Sequence, residues 1–582
     1  MTLPETVVPD VALTDSATLR AWLEPARVAQ QLSYADIHIA LTVVRRAAEM
    51  PQDPALTAVV ALSTALTNRA VREGHSAIRV DHLVQHAAAL TPYLAESPLN
   101  ALVPTNSAEY IDLLKRSPAT GEASANTPLV LHHQLVQFKR YYDAEQRIAG
   151  EIRRRLTETT PAGLPAFAIV TGGPGTGKTT HIARTIVQLH ATQATVHVAL
   201  AAPTGKAAAR LTESVRERVA EVTQQRGGDV PSSVAEAQTL HRLLRYNAHT
   251  NTFRSTAMSP LGADLVVVDE ASMVDILLLD ALLQAVRPDA ALLLVGDHQQ
   301  LASVESGDAL GALWRAATSS PPESAWQGRV TVLTRSFRFG DDSAIGVFAR
   351  AVMHGDTKVI AASAQPAFAE GRDEVHDVRV VPFAADHDTL LAPVIAGLTH
   401  CVQAQTPREF LDAFDTFRVL APEREGATGV EGMNQTIEQW LATQGCSTRG
   451  AWYHRRPVLV TANDYGANVF NGDIGVVWRD GDHTGVYFRT AGGGVRMLAP
   501  TRLPMVETAW AITVHKAQGS EFDLVLLVLP ERESRVVNRQ LLYTAVTRAK
   551  RAITIVGSLS VVYAAMAKES GRTSGLERAV LG

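Results

Sequence analysis

The stretch Ala168-Ile-Val-Thr-Gly-Gly-Pro-Gly-Thr-Gly-Lys-Thr-Thr180 carries the most chemistry per residue in this chain. Gly172, Gly173, Pro174, Gly175, Thr176 and Gly177 form a glycine-rich turn ahead of Lys178, Thr179 and Thr180. An apolar run, Phe167 to Val170, reads as the buried strand before it, and a helical pattern follows from His181. G-x-x-x-x-G-K-[ST] between a strand and a helix is the pattern of a phosphate-binding loop. Successive backbone N–H groups converge there on phosphate oxygens, and the helix N-terminus adds its partial positive charge. Lys178 reaches the β- and γ-phosphates, and the Thr179 hydroxyl suits Mg²⁺. The spacing predicts a nucleoside triphosphate site.

Further residues extend this chemistry. Leu265-Val-Val-Val-Asp-Glu270 reads as a buried parallel strand that delivers two carboxylates to its C-terminal edge. Asp269 suits the Mg²⁺ shell, and Glu270 suits polarisation of an attacking water. Leu292-Leu-Leu-Val-Gly-Asp-His-Gln-Gln-Leu301 repeats the design and makes Gln300 a candidate γ-phosphate sensor. Leu333-Thr-Arg-Ser-Phe-Arg338 sets two arginines after a strand, where Arg338 can supply transition-state charge. Loops after parallel strands line the ligand crevice. Thr204 and Lys206, after a strand expected over 195–201, and Thr239 and His241 in Gln238-Thr-Leu-His-Arg-Leu243 are thereby placed against an extended polyanion. Taken singly, each is also explained as a helix cap or a surface residue.

Positioning these groups takes a large chain. At 582 residues it exceeds one core, and roughly three or four domains are expected. With 46% hydrophobic and 19% charged residues it is neither disordered nor a membrane protein, and the first residues carry no targeting pattern, so a cytoplasmic location is expected. Two cysteines, Cys401 and Cys446, argue against a disulfide framework, a zinc ribbon or an iron–sulfur cluster. The net charge of −5 excludes coating of nucleic acid by bulk charge and requires a local basic groove or a shared site.

Residues 1–125 read as an Ala-rich helical domain, with Ser33 to Asp36 as an N-cap and a proline- and serine-rich linker over 100–127. Leu131 to Arg147 reads as a helix whose Glu145 or Gln146 approaches the nucleotide base, and Arg153-Arg154-Arg155 as a solvated helix face. The first α/β domain then spans 126–345, with a candidate hairpin over 245–254. A helical connection follows over 346–416, and a second α/β unit over 417–582 with a small β-barrel inserted over 476–505. The tail after Ser570 is expected to be loose.

The blocks GGPGTGKTT, APTGKAAARL, VVVDEASM, LLVGDHQQLASVESG, LTRSFR, VHKAQGSEFD and LLYTAVTRAKR, in this order, resemble superfamily-one helicases. Together with APEREGATGVEGMNQTIEQ and FNGDIG they resemble, more narrowly, the RecD family, the alpha subunits of the bacterial RecBCD enzyme (exodeoxyribonuclease V). The motif-bearing match covers Leu131 to Gly557, and the N-terminal region is similar to the RecD portion that docks on RecC. The resemblance implies an α/β fold of two tandem RecA-like P-loop domains with small β insertions and an N-terminal α-helical domain. It implies ATP and Mg²⁺ in the cleft between them, with Arg338 and Arg548 reaching the γ-phosphate and Gly519 and Glu521 near the ribose. It also implies Thr513, His515 and Gln518 on the DNA side, facing Thr204 and His241.

The activity so implied is ATP-driven 5′→3′ movement on single-stranded DNA and unwinding of duplex ends, in a heterotrimer with RecB-like and RecC-like subunits. No nuclease-type carboxylate cluster is read here, so cleavage is expected of the RecB-like partner. Relatives place an adenine-reading glutamine about twenty residues before the phosphate loop, where Gln146 is the only near candidate. Stand-alone paralogues carry a longer N-terminal extension, and none is read here. A regulatory ATP-binding subunit without translocation is the alternative. A simple kinase or GTPase leaves the second α/β unit unexplained.

Overall fold

The computed structural model describes residues 16–46, 53–94, 102–122, 125–192, 196–226, 236–337, 343–364, 378–383, 387–464, 466–481, 483–490, 493–568 and 571–582. The N-terminal layer is built of helices Ser16–Val28, Tyr34–Arg46, Pro54–Arg72, Val80–Leu90 and Ser107–Arg116. Ser33 and Asp36 cap the second reciprocally: Ser33 N donates to Asp36 Oδ2 at 2.7 Å, and Asp36 N donates to Ser33 Oγ at 3.2 Å. The third is buried all round from Leu56 to Ala70, and polar members of it find partners inside, Ser63 Oγ with Tyr110 OH at 2.9 Å and Asn68 Nδ2 donating to Asp36 Oδ1 at 2.8 Å.

Two expectations for this region fail. The linker over 100–127 contains the helix Ser107–Arg116, started by Asn106, whose side chain accepts from Glu109 N. The helix expected from Leu131 begins only at Lys139. Before it, Leu129–His132 pairs antiparallel with Leu135–Phe138. His133 and Gln134 between them both have positive φ (49° and 63°), the geometry of a tight hairpin turn, so alternation beats helical spacing here. Leu129 and Val136 are buried in the N-terminal core, so this layer runs past residue 125.

The first α/β domain is a six-stranded, wholly parallel sheet in the order Val330–Leu333, Phe167–Gly172, Ala291–Gly296, Leu265–Val268, Val198–Ala202, Gln238–Thr239. Its central strands are continuous runs of Val, Ile, Leu and Ala because both faces are covered. Helices Lys178–Thr192 and Gly205–Arg226 contribute to one core, and Lys139–Leu156, Ile276–Ala285 and Ala309–Ser319 to the other. Tyr246–Asn247 pairs antiparallel with Thr252–Phe253 beside this sheet.

The second α/β domain is a five-stranded parallel sheet in the order Val378–Val381, Ala549–Val556, Phe522–Val528, Phe417–Ala421, Ala511–Thr513. Its edge strand Val378–Val381 comes from the segment expected to be only helical. A four-residue β-branched run with one arginine is too short to display a period, and pairing with Ala549–Val556 decides its state. The insertion is a five-stranded antiparallel sheet that includes Pro457–Val460 and Val506–Thr508, so it is wider than 476–505.

The described end of the chain is ordered, against expectation. From the last helix of the second domain, Leu559–Ala567, residues 571–582 cross to the first domain and the N-terminal layer. Leu576 (0% exposed) and Val580 (4%) enter the first domain's core, and Glu577 pairs with Arg315 at 2.9 Å. Ser76 N and Ala77 N donate to Thr573 O. Glu145 ties the junction: it accepts from Ser76 Oγ (2.6 Å), Ser574 Oγ (2.7 Å), Gln137 Nε2 (3.1 Å) and Gly575 N (3.1 Å). Arg155, expected on a solvated face, is fully buried. Its guanidinium donates to the carbonyls of Ala290, Val286 and Arg287, where a helix ends and a strand begins. No helix among the described residues is long and apolar enough to cross a membrane.

Candidate active site

The phosphate loop is shaped by close approaches that exclude side chains. A Cβ on Gly172 would lie 2.5 Å from Leu333 O, and Gly177 holds φ at +89°. Lys178, the first residue of the helix Lys178–Thr192, curls its Nζ back to Gly172 O (2.6 Å) and Gly173 O (3.0 Å). Thr179 and Thr180 follow in the first helical turn. Thr176 Oγ1 donates to Gly173 O at 2.8 Å. The segment after Val330–Leu333 leans on this loop: Phe337 N donates to Gly175 O at 2.8 Å, and its ring is 74% exposed beside Gly177. Arg338 lies outside the described residues.

Asp269 and Glu270 stand at the C-terminal edge of Leu265–Val268. Burial and the neighbouring Glu270 push the Asp269 carboxyl up to about 6, while Lys178 and Arg210 pull it down. Glu270 adopts φ +52°, a left-handed conformation uncommon outside glycine and frequent at functional sites. Asp297 ends the next strand, and its Oδ2 accepts from Gln300 Nε2 at 3.2 Å. Gln300 is buried, and its Oε1 has no hydrogen-bond partner among the described residues.

The second domain closes directly on this edge. Tyr543 OH donates to Asp297 Oδ2 at 3.0 Å, and Leu301 N donates to Thr544 Oγ1 at 2.9 Å. Gln518 Nε2 donates to Leu301 O at 2.9 Å. Arg210 Nη2 meets Glu521 Oε2 at 2.7 Å and its Nη1 approaches Gly519 O at 3.4 Å. Arg548 is 2% exposed and donates to Thr544 O and Ser520 O, so it braces this wall of the cleft from within the second domain.

The residues expected along a polyanion divide. Thr204 Oγ1 accepts from Ala207 N, and Thr239 Oγ1 from Arg242 N, both as caps of the helical turns that follow. His241 packs between the rings of Tyr246 and Phe253, and desolvation lowers its pKa although Asp275 opposes the shift. Gly205 lies under Phe470 of the second domain. Beside it, burial lowers the Lys206 pKa against the pull of Asp415 and Asp473. Thr513 and His515 are half-buried. Gln518 is instead enclosed (6% exposed) between the domains and grips Leu301, a position that seals it from solvent.

The helix Lys139–Leu156 packs against Ile276–Ala285 and Leu576–Leu581. Glu145 is spent on the chain's end and is no base-reading group, and among the described residues no side-chain hydrogen bond involves Gln146. Sequence reasoning passed over Tyr543, Asp297, Arg210 and Phe337. Tyr543 carried the best signal, a phenol in the midst of an apolar helix.

The oxygen donors present suit a hard cation: the half-buried Asp269 carboxylate at the strand's edge and the Thr179 hydroxyl at the loop. Mg²⁺ is characteristically held by one or two carboxylates together with substrate phosphates.

Comparison with known proteins matches three family models: "RecBCD enzyme subunit RecD, N-terminal domain" over residues 28–136, "AAA domain" over 160–306, and "UvrD-like helicase C-terminal domain" over 508–556. The RecBCD enzyme subunit RecD of Mycobacterium tuberculosis is 35% identical, covering 97% of this chain and 97% of its own length. An ATP-dependent RecD2 DNA helicase of Deinococcus radiodurans is 32% identical over 74% of this chain and 53% of its own length. A structure of Bacteroides Pif1 helicase with ADP-AlF3 and ssDNA covers 70% of this chain and 91% of its own, at 17% identity and a TM-score of 0.37.

Proposed function

The chain belongs to the RecD family of RecBCD enzyme subunits, and from that membership we propose that it is an ATP-hydrolysing DNA helicase subunit that moves 5′→3′ on single-stranded DNA. It acts in the cytoplasm with RecB-like and RecC-like subunits on the duplex ends of double-strand breaks, and DNA cleavage belongs to the RecB-like partner. The observation that carries this reading is the seam itself. The phosphate loop, Asp269-Glu270 and Gln300 lie on one parallel sheet, and Gln518, Glu521 and Tyr543 reach that domain from the other.

Lys178 turns from its loop carbonyls to the β- and γ-phosphates. Thr179 and Asp269 are the residues that would hold Mg²⁺, which neutralises phosphate charge when bound. Glu270 orients the attacking water, and Gln300 senses the γ-phosphate. Arg548, and Arg338 from the first domain, supply cationic charge. Gly519 and Glu521 lie on the ribose side, and Gln146 is retained as the adenine-reading candidate. The DNA strand is assigned to Thr204, Lys206, Thr239 and His241 on one domain and Thr513 and His515 on the other. Gln518 couples that face to the sensor loop. Alternating closure and release of the seam then alternates the two grips on the phosphate backbone. The N-terminal layer is the RecC-facing surface.

The test is ATPase rate with and without single-stranded DNA for the wild type and Lys178→Gln, alone and with partner subunits. Strong DNA stimulation, lost by about 10²-fold or more in the variant, is expected. Hydrolysis indifferent to DNA in both series overturns the motor reading in favour of a regulatory ATP site.

A further inference from the structure

Asp297 is 1% exposed and divides its carboxylate between two duties. Oδ1 accepts from Gln299 N at 3.0 Å and so holds the loop's own backbone. Oδ2 is shared by Gln300 Nε2, from the same loop, and Tyr543 OH, from the helix Arg539–Val546 of the other domain. Gln300 thus has its amide nitrogen committed to Asp297, and its Oε1 is a buried acceptor with no partner among the described residues. An open acceptor at such a point is costly unless a ligand or water completes it. The orientation of that acceptor is set by Asp297, and Asp297 is anchored from across the cleft.

Three neighbouring contacts make the anchor specific. The backbone of Leu301, next to the sensor, is gripped on its N–H by Thr544 and on its carbonyl by Gln518. The Tyr543 hydroxyl also lies against the phosphate loop, 3.0 Å from where a Cβ on Gly173 would stand. Burial and the Asp297 charge hold the Tyr543 phenol protonated, so it is the donor in its bond.

We infer that Tyr543 is a cross-cleft positioning residue: its hydroxyl fixes Asp297, and through Asp297 the Gln300 side chain, when the second domain is docked on the first. The sensor is then set for hydrolysis only in the closed seam, which ties ATP turnover to the domain motion that moves DNA. This inference rests on the motor reading above and adds a residue to it.

The test compares wild type, Tyr543→Phe, Asp297→Asn and the double variant as full chains assembled with their partner subunits. Lys178→Gln serves as the control for the underlying reading. Phenylalanine keeps the ring and its packing and removes only the hydroxyl. Steady-state ATPase at saturating single-stranded DNA is expected to show kcat reduced about five- to tenfold in Tyr543→Phe with KM for ATP changed less than twofold, since the hydroxyl acts on turnover and not on binding. The DNA stimulation ratio falls with it, and the double variant is no slower than Asp297→Asn alone. A Tyr543→Phe enzyme with kcat and DNA stimulation within twofold of wild type overturns the inference. So do losses in Tyr543→Phe and Asp297→Asn that simply multiply. If the wild type shows no DNA-stimulated hydrolysis that Lys178→Gln abolishes, the motor reading itself has failed, an outcome distinct from either of these.

Discussion

The Arg210–Glu521 pair allows a quantitative prediction about the seam. Nη2 and Oε2 are 2.7 Å apart, with side-chain exposures of 47% for Arg210 and 11% for Glu521. Unit charges about 4 Å apart interact by about 4 kcal/mol at an effective dielectric of about 20. Water reaches the arginine, however, and exposed pairs retain only about 0.2–1 kcal/mol in double-mutant cycles. With the carboxylate enclosed, the coupling should lie at the top of that range, about 1 kcal/mol, or about fivefold in a rate or equilibrium constant. Arg210→Ala, Glu521→Gln and the double variant should therefore each lower kcat/KM for ATP at saturating DNA. The double variant should be about fivefold better than the product of the single losses. The coupling should shrink between about 0.1 and 1 M salt, because the Debye length falls from about 10 to 3 Å. Additive losses, with coupling under about 0.3 kcal/mol, would show that the contact is not made in the state that turns over, and the electrostatic reasoning would be refuted.

Two further perturbations address the strap formed by the end of the chain. Leu576→Ala removes a side chain with 0% exposure from the first domain's core and should cost about 2–5 kcal/mol, read as a lower thermal or urea midpoint. A midpoint unchanged from wild type would mean that residues 571–582 add nothing to the fold in solution. Glu145 is a buried carboxyl with donors around it, and burial raises its pKa above the ordinary value of 4.5 despite bonds from Ser76, Ser574, Gln137 and Gly575. A raised carboxyl pKa contributes stability below the unfolded value, and that contribution is lost as pH rises through the folded pKa. The stability advantage of wild type over Glu145→Gln is accordingly greatest at and below pH 4.5 and narrows as the pH rises above it. Melting curves in which the gap widens with pH would contradict this.

What the sequence by itself determined is what neighbouring residues determine among themselves. Gly172 to Thr180 form a strand–turn–helix because glycine admits φ of +74° and +89° at positions 175 and 177 and because the flanking periods change from strand to helix within a few residues. Leu265–Val268 and Ala291–Gly296 were legible as buried strands for a similar reason: only strands covered on both faces run apolar without alternation. The Ser33–Asp36 cap is equally local.

The tertiary structure alone decided whatever depends on a partner far along the chain. Leu129–His132 and Leu135–Phe138 share their composition with a helix, and pairing across His133-Gln134 and packing on the N-terminal core settle their state. Arg155 lies in a run of three arginines that reads as a wet face, yet it is the one that turns inward to four backbone carbonyls from elsewhere in the first domain. The strap at 571–582, the sealed position of Gln518 and the Tyr543–Asp297–Gln300 chain likewise join residues separated by hundreds of positions. A hydrogen bond or buried side chain of that kind leaves no periodicity or spacing in the sequence, because the free energy that selects it exists only once the domains have closed on one another.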